Sequence, residues 1–448
     1  MPNEKSPLET FSKIYSRYDC VYILESVEGP QKLAEYSFIG FDPHTIITVK
    51  NGKIEVYNRV NNEKNVSETV DPLIEIKGFL SRFSTTCESF RFIGGAVGYI
   101  SYDAVRYWEK LPEKAVDDLK FPDIEMAIFD DGIIFDHKSN EAFYYYLREN
   151  RLSEIADLTR ENCDSEPLSY TEPKANLKKE KFEEIVLKAK EYIASGDIFQ
   201  VVLSKRYEFK IKGSLIQFYK ALRAINPSPY MYFLKMGSRQ IVGSSPEMLV
   251  RIEGETVETF PIAGTRPRFN DYRRDEALAR ELLADEKECA EHVMLVDLAR
   301  NDIGRVSEFG TVHVPELMKI YHYSHVQHIV SRVTGKLRMD CDCYDALRAV
   351  FPAGTVSGAP KVRAMEIIEE CEPTRRGPYA GALGYFSYNG NADFAITIRT
   401  LVAENGRGYI QAGAGIVADS IPEREWFETE HKAEALMKAL EVSSEVKT

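Results

Sequence analysis

Four glutamates, spaced as two pairs, are the residues of this chain best suited to chemistry: Glu288 with Glu291, and Glu425 with Glu428. On a helix, residues at i and i+3 share a face, so each pair can point two carboxylates into one cleft. Asp285 followed by Glu288 reads as an N-cap with its capping-box partner, and Ser420 with Pro422 reads as the opening of a second helix. Both pairs then fall in first turns. Hard oxygen ligands without paired histidine or cysteine suit Mg²⁺, a cation that keeps several waters and takes one or two carboxylates together with an anionic substrate. The same residues also fit a plainer reading, in which glutamate near a helix start favours the dipole and Glu428 pairs with Lys432 on a wet surface.

Three other segments give the carboxylates a context. Residues 351 to 361, FPAGTVSGAPK, form a small-residue loop before a helix predicted over 362 to 371; backbone amides at such a start bind anions, and Thr355 and Ser357 add hydroxyls. Its glycine spacing is not that of a Walker loop. A strand predicted over 393 to 402 carries Asp393, Ala395, Thr397 and Arg399 on one face, which sets an arginine among small side chains as a bidentate grip on a carboxylate requires. A salt-bridged surface arginine fits that pattern equally. In 411 to 417, Gly413 and Gly415 fall on one side of a strand, either because a ligand approaches the backbone or because sheets pack tightly there.

The elements that must hold these residues come in mixed order. Residues 1 to 165 read as short alternating strands and turns, with Phe38 to Val49 broken at Gly40 and Asp42-Pro43 and a hairpin at Asn51-Gly52. A polar stretch from Cys163 to Lys179 reads as a linker, and residues 175 to 448 as a second domain. There, Phe182, Ile185, Ala189 and Ile193 recur at helical spacing up to Gly196, a strand follows over 198 to 209, and Asn389-Gly390 signals another hairpin. Mixed helices and hairpins favour an α+β fold on antiparallel sheet over a doubly wound one.

Composition narrows the function classes. The 448 residues are 44% apolar and 28% charged, ordinary for a globular protein with a sizeable core. A net charge of −13 argues against nucleic-acid and anionic membrane partners. Seven cysteines without metal-finger or C-x-x-C spacing fit a reducing compartment, and no apolar stretch reaches a membrane span, so a cytoplasmic location is expected.

Eight strings carry a resemblance: SSPE (244 to 247), PIAGTRPR (261 to 268), AEHVMLVDLARND (290 to 302), AGTVSGAPK (353 to 361), GAGIVADS (413 to 420), E-x-x-E-x-x-x-K (425 to 432) and, in the amino-terminal part, ILESVEG (23 to 29) with YSFIGFDP (36 to 43). Together they resemble the chorismate-utilising enzymes and, within them, the large aminating subunits of the anthranilate synthase family. That resemblance implies large antiparallel β-sheets sandwiched by helices. It also implies Mg²⁺ held by Glu291 and Glu428 directly and by Glu288 and Glu425 through water. By the same resemblance Glu247 is the general acid for the departing C4 hydroxyl, which requires a raised pKa. His328 and Thr355 complete the catalytic set, while Gly264, Thr265, Tyr379, Arg399, Gly413, Gly415 and Lys432 hold the substrate.

Chemistry within the family turns on the nucleophile. Gln200 stands where water-activating members carry a lysine base, and Ala263 stands where others carry a nucleophilic lysine. Ammonia attack on chorismate followed by loss of pyruvate, giving anthranilate, is the scheme left. A sister enzyme that keeps the enolpyruvyl group, or a silent regulatory subunit, stays open on the sequence. The resemblance further implies a glutamine amidotransferase partner and feedback inhibition by L-tryptophan in a pocket of Leu24, Glu25, Ser26, Pro229, Tyr230 and Met231. Departures from the family pattern occur at Glu286, usually proline, and Cys289, usually arginine.

Overall fold

Alternation along the strands dictates the layers. In Cys20–Glu25, Cys20 and Tyr22 turn into one apolar cluster while Val21 and Ile23 turn into another, and all four are buried. A strand buried on both faces needs a packed layer on each side. The computed structural model describes residues 6–27, 35–83, 85, 89–158, 166–269, 271–323 and 326–447, and among them two large sheets of 13 and 12 strands supply those layers. Among the described residues, the strands of these sheets pair antiparallel except Leu168–Tyr170 with Ser444–Lys447, and an isolated parallel bridge joins Val116 to Thr374.

Between the sheets lies an aromatic layer that includes Tyr22, Phe92, Tyr99, Phe129, Tyr232 and Tyr385; Tyr22 meets Phe129 edge-on at 4.7 Å between centroids. Helices cover the outer faces. Ile216–Ile225, Pro422–Ser443, Lys179–Ala194 and Lys361–Cys371 pack on the first sheet, and Pro72–Leu80, Glu286–Gly304 and Cys343–Val350 on the second. The fold is thus α+β, with large antiparallel sheets sandwiched by helices. Residues 1–165 and 175–448 both contribute strands to both sheets.

Several local expectations hold. Gly196, at φ 83°, follows the C-cap of Lys179–Ala194, and Asn389-Gly390 and Asn51-Gly52 turn hairpins. Others need correction. Gly40 does not break its strand: it lies within Tyr36–Phe41, where the ring of Tyr22 covers it. The expected linker is partly strand, since Leu168–Tyr170 and Lys174–Ala175 pair with Gln200–Lys212 and the helix already begins at Lys179. The single strand expected over 393–402 is two, Ala392–Ile396 in the second sheet and Thr400–Glu404 in the first. Side-chain alternation cannot reveal a change of sheet.

That crossing positions the site. The chain passes between sheets at 397–399, where Arg399 adopts φ 50°, and again between Arg239–Ser245 and Met248–Glu253, where Glu247 sits. The two crossings are stitched together, with Ile396 N donating to Glu247 O and Ser244 N to Arg399 O, both at 3.1 Å. Among the described residues no helix is long and apolar enough to cross a membrane.

Candidate active site

The two acidic helices start differently. Asp285 caps Glu286–Gly304 by accepting from Lys287 N and Glu288 N at 3.1 and 3.2 Å, as its type predicts. Pro422–Ser443 takes Ile421 as N-cap with Pro422 in its first turn, while Ser420 Oγ accepts from Val417 N instead. The expectation that both pairs occupy first turns is corrected: Glu288 and Glu425 lie there, and Glu291 and Glu428 lie one turn on.

Both helices converge on the strand Arg407–Ile416. Gln200 Nε2 donates to Glu291 Oε1 at 2.9 Å, and a Cβ on Gly415 would stand 2.7 Å from that same nitrogen. Lys432 Nζ pairs with Glu428 at 2.7 Å and donates to Gly413 O at 3.0 Å. A Cβ on Gly413 would meet the Tyr379 hydroxyl at 2.7 Å. A Cβ on Gly413 would also stand 2.9 Å from the Leu203 carbonyl oxygen, so that position requires glycine, whereas at Gly415 only the far end of Gln200 stands in the way.

On the opposite wall, Gly264 takes φ 64° in an irregular stretch of Ile262–Pro267, and a Cβ there would lie 3.2 Å from Glu288 Oε2. His328 Nδ1 lies 2.9 Å from Gly264 O and 3.1 Å from Thr265 Oγ1. A carbonyl only accepts, so Nδ1 carries the proton and Nε2 is the acceptor. Burial, helped by the Arg399 charge, holds the imidazole below its ordinary pKa and so neutral.

Glu247 closes the cleft. Burial pushes its carboxyl up to about 8, against the opposing effects of the adjacent Thr355 hydroxyl and the Lys432 charge, so it is protonated at neutral pH. Beside it a recess of about 400 Å³ is lined by Thr355, Gly354, Leu295, Leu298 and Ile396. Thr355 Oγ1 is buried with no hydrogen bond of normal geometry.

Charge in this region is left open. Arg399 has no carboxylate partner among the described residues, and Glu425 Oε2 is buried without a donor. Burial first, and the neighbouring carboxylate next, raise Glu288 beside Glu291 and Glu425 beside Glu428. Within each pair the carboxylates repel one another, with Arg266 3.5 Å from Glu288 and Lys432 2.7 Å from Glu428, and paired hard oxygens of this kind fit a divalent cation. Among the described residues no three His, Cys, Asp or Glu side chains converge as a group that could hold a metal.

A second cavity, of about 440 Å³, opens between the sheets. It brings together all six residues expected there: Leu24, Glu25, Ser26, Pro229, Tyr230 and Met231. Cys20–Glu25 pairs with Tyr230–Met236 so that Glu25 faces Met231, and Ser26 Oγ donates to Pro229 O at 2.5 Å. Residues 28 and 29 of the motif there lie outside the described residues.

Comparison with known proteins decides the family. The model described as chorismate binding enzyme matches residues 19–438. An anthranilate synthase component 1 from Methanothermobacter thermautotrophicus is 53% identical over 442 residues, covering 98% of this chain and 93% of that protein. The chain belongs to the chorismate-binding enzymes, in the anthranilate synthase component 1 family. A Pseudomonas aeruginosa member is 44% identical over 464 residues, covering 98% of this chain and 94% of its own. The crystal structure of anthranilate synthase component I from Streptococcus pneumoniae TIGR4 matches with a TM-score of 0.81 at 38% identity, over 92% of this chain and 93% of that one.

Beyond the family motifs, the structure adds contacts the sequence reading did not supply. Gln200 bridges Glu291 to the glycine strand, and Arg91, Arg251 and Asp393 line the inter-sheet cavity. Asp393 was expected on the face of Arg399; it turns instead to Arg251 on the neighbouring strand, at 2.8 Å. Only the strand register places those two opposite each other, and no spacing in the sequence encodes it.

Proposed function

We propose that this chain is a lyase that converts chorismate and ammonia to anthranilate and pyruvate with Mg²⁺, the aminating half of anthranilate synthase. The observations that carry the reading are the burial of Glu247, which pushes its carboxyl up to about 8, and the Gln200 amide tied to Glu291. An amide cannot deprotonate water, whereas uncharged ammonia needs no base. Ammonia forms the new bond at C2, the ring double bonds shift, and the C4–O bond breaks as Glu247 gives its proton to the departing hydroxyl. Loss of the ring proton at C2 and of the enolpyruvyl group as pyruvate then leaves an aromatic amine.

Arg399 and Tyr379, with Thr355 and the backbone of Gly413 and Gly415, hold the substrate's carboxylates; Gly264, Thr265 and neutral His328 line the ring; Lys432 ties the acidic helix to the glycine strand. Glu291 and Glu428, with Glu288 and Glu425 beside them, would hold Mg²⁺, and the cation would offset the substrate carboxylate among four glutamates. Free ammonia is scarce near neutral pH and the chain carries no glutaminase cysteine motif, which supports a separate glutamine amidotransferase partner. The inter-sheet cavity is the tryptophan site. The test is to incubate the pure chain with chorismate, Mg²⁺ and ammonium at alkaline pH and follow anthranilate fluorescence and pyruvate. Both products appear together, and glutamine replaces ammonium only once a glutaminase is added; glutamine-driven turnover by the chain alone, or an amine that retains its enolpyruvyl group, overturns the reading.

A further inference from the structure

The helix Pro422–Ser443 is gripped from both flanks. Along it the buried Glu425, Thr429, Ala433 and Leu436 form the seated stripe. Glu428 and Lys432 lie to one side of that stripe, and Trp426 and Glu430 to the other, each pair at i, i+4. On the first flank Lys432 Nζ donates to Gly413 O at 3.0 Å. On the second, Lys205 rises from Gln200–Lys212 with no exposed surface, pairs with Glu430, and sets its Nζ 2.9 Å from the centroid of the Trp426 ring. Tyr207 OH donates to the same Glu430 oxygen at 2.5 Å, and Trp426 packs edge-on against Phe182. The two ties end on neighbouring rungs of one strand pair, since Lys205 faces Ala412 and Ser204 faces Gly413.

Stability does not ask for a lysine here. Its strand neighbours on the same face, Leu203 and Tyr207, are apolar-cluster residues, and exchanging this buried charge and its half-exposed partner Glu430 for apolar groups removes the desolvation cost of the lysine. What an ion pair adds is a unique register. We propose that Lys205 is a positioning residue: by holding Trp426 and Glu430 it sets the roll and axial register of Pro422–Ser443, and with them the direction in which Glu425 and Glu428 point. Its consequence for Mg²⁺ rests on the function proposed above; the hold on the helix does not.

The test is Lys205→Met combined with Glu430→Leu in the full chain, which removes both charges and leaves neither unpaired. It melts close to the parent. Hydrogen exchange of the metal-free chain shows amides 424–430 opening faster, and half-saturation by Mg²⁺ in ammonia-dependent turnover rises about 10-fold or more while kcat at saturating Mg²⁺ changes less, as for residues that orient metal ligands. Unchanged exchange and an unchanged Mg²⁺ curve overturn the proposal, as does lowered stability with an unchanged Mg²⁺ curve. A parent without any Mg²⁺ dependence counts against the proposed function instead, and exchange alone then decides whether Lys205 holds the helix. Should the double variant not fold, Lys205→Gln, which keeps a donor to Glu430 without the charge over Trp426, is judged by the same two readings.

Discussion

Two clefts in one molecule treat charge in opposite ways. Every ionised group lining the inter-sheet cavity meets a partner: Arg251 and Tyr230 share Asp393, Arg91 reaches Glu35 at 2.6 Å and Glu253 at 3.3 Å, and Glu25 takes Tyr219 at 2.7 Å and Arg223 at 3.2 Å. In the acidic cleft compensation is partial: Lys432 pairs with Glu428 at 2.7 Å and Arg266 stands 3.5 Å from Glu288, but Arg399 lacks a carboxylate among the described residues, and Glu288 and Glu425 are raised by burial and like charge. Buried polar groups without partners cost stability, so a fold that keeps them leaves room for what completes them. A self-compensated cavity suits a ligand of zero net charge, such as an amino-acid zwitterion; a cleft only partly compensated suits a dication with a dicarboxylate.

The strongest way to break this contrast is to remove the carboxylates on one side of it. Glu291→Gln and Glu428→Gln are each expected to drop Mg²⁺-dependent turnover to background while circular dichroism stays that of the parent. Each change takes away a ligand and a charge together. Near-normal turnover by either variant at limiting Mg²⁺ would make that residue the surface charge of the plainer reading.

Next in size is the acid. Glu247→Gln should lower kcat by about 10²–10⁴-fold, the usual worth of a general acid. With its carboxyl at about 8, turnover by the parent, referred to uncharged ammonia, falls as pH rises through that value, and the variant loses this limb. Stability moves the other way in the variant. A carboxyl titrating at about 8 in the fold against 4.5 unfolded contributes stability that is full below pH 4.5 and lost as pH rises through 8. Glu247→Gln therefore melts above the parent at pH near 9, and the gap closes toward pH near 5. Thermal scans at both values check the sign.

How much of this was legible in the sequence depends on how local each feature is. Turns at Asn51-Gly52 and Asn389-Gly390 and the end of a helix at Gly196 follow from backbone preferences of single residues, and they were readable. The acidic helices and the glycine pair were readable too, because i, i+3 spacing and strand alternation are written along one segment. Two kinds of feature were not. The switch of sheets at 397–399 leaves alternation undisturbed, so Arg399 and Asp393 were set on one face although only Asp393 lines the inter-sheet cavity. The pairing of Lys205 with Glu430, 225 positions apart, depends on how a helix rolls on a distant strand pair. Glu247 lies between these cases: its motif marked it, but only burial explains its proton.

The finest test of the contrast is on the compensated cavity. L-Tryptophan is expected to bind there and to inhibit by favouring an arrangement with weaker chorismate affinity, since a ligand shifts an equilibrium only by its differential affinity for the two states. Cys20–Glu25 and Tyr230–Met236 from the first sheet wall the cavity against Met248–Glu253 and Ala392–Ile396 from the second. Those last two strands lead directly from Glu247 and toward Arg399, so the ligand sits where it can bias the seam. A coupling of about 5- to 150-fold is typical and must be reciprocal, so chorismate should weaken tryptophan binding by the factor that tryptophan weakens chorismate binding. Ser26→Phe, filling the wall where Ser26 Oγ now meets Pro229 O, should relieve inhibition and leave ammonia-dependent turnover within about two-fold of the parent, as expected of a change remote from the acidic cleft. Calorimetry decides: no tryptophan binding to the parent, or full inhibition of the Ser26→Phe chain, removes the amino-acid site from this cavity.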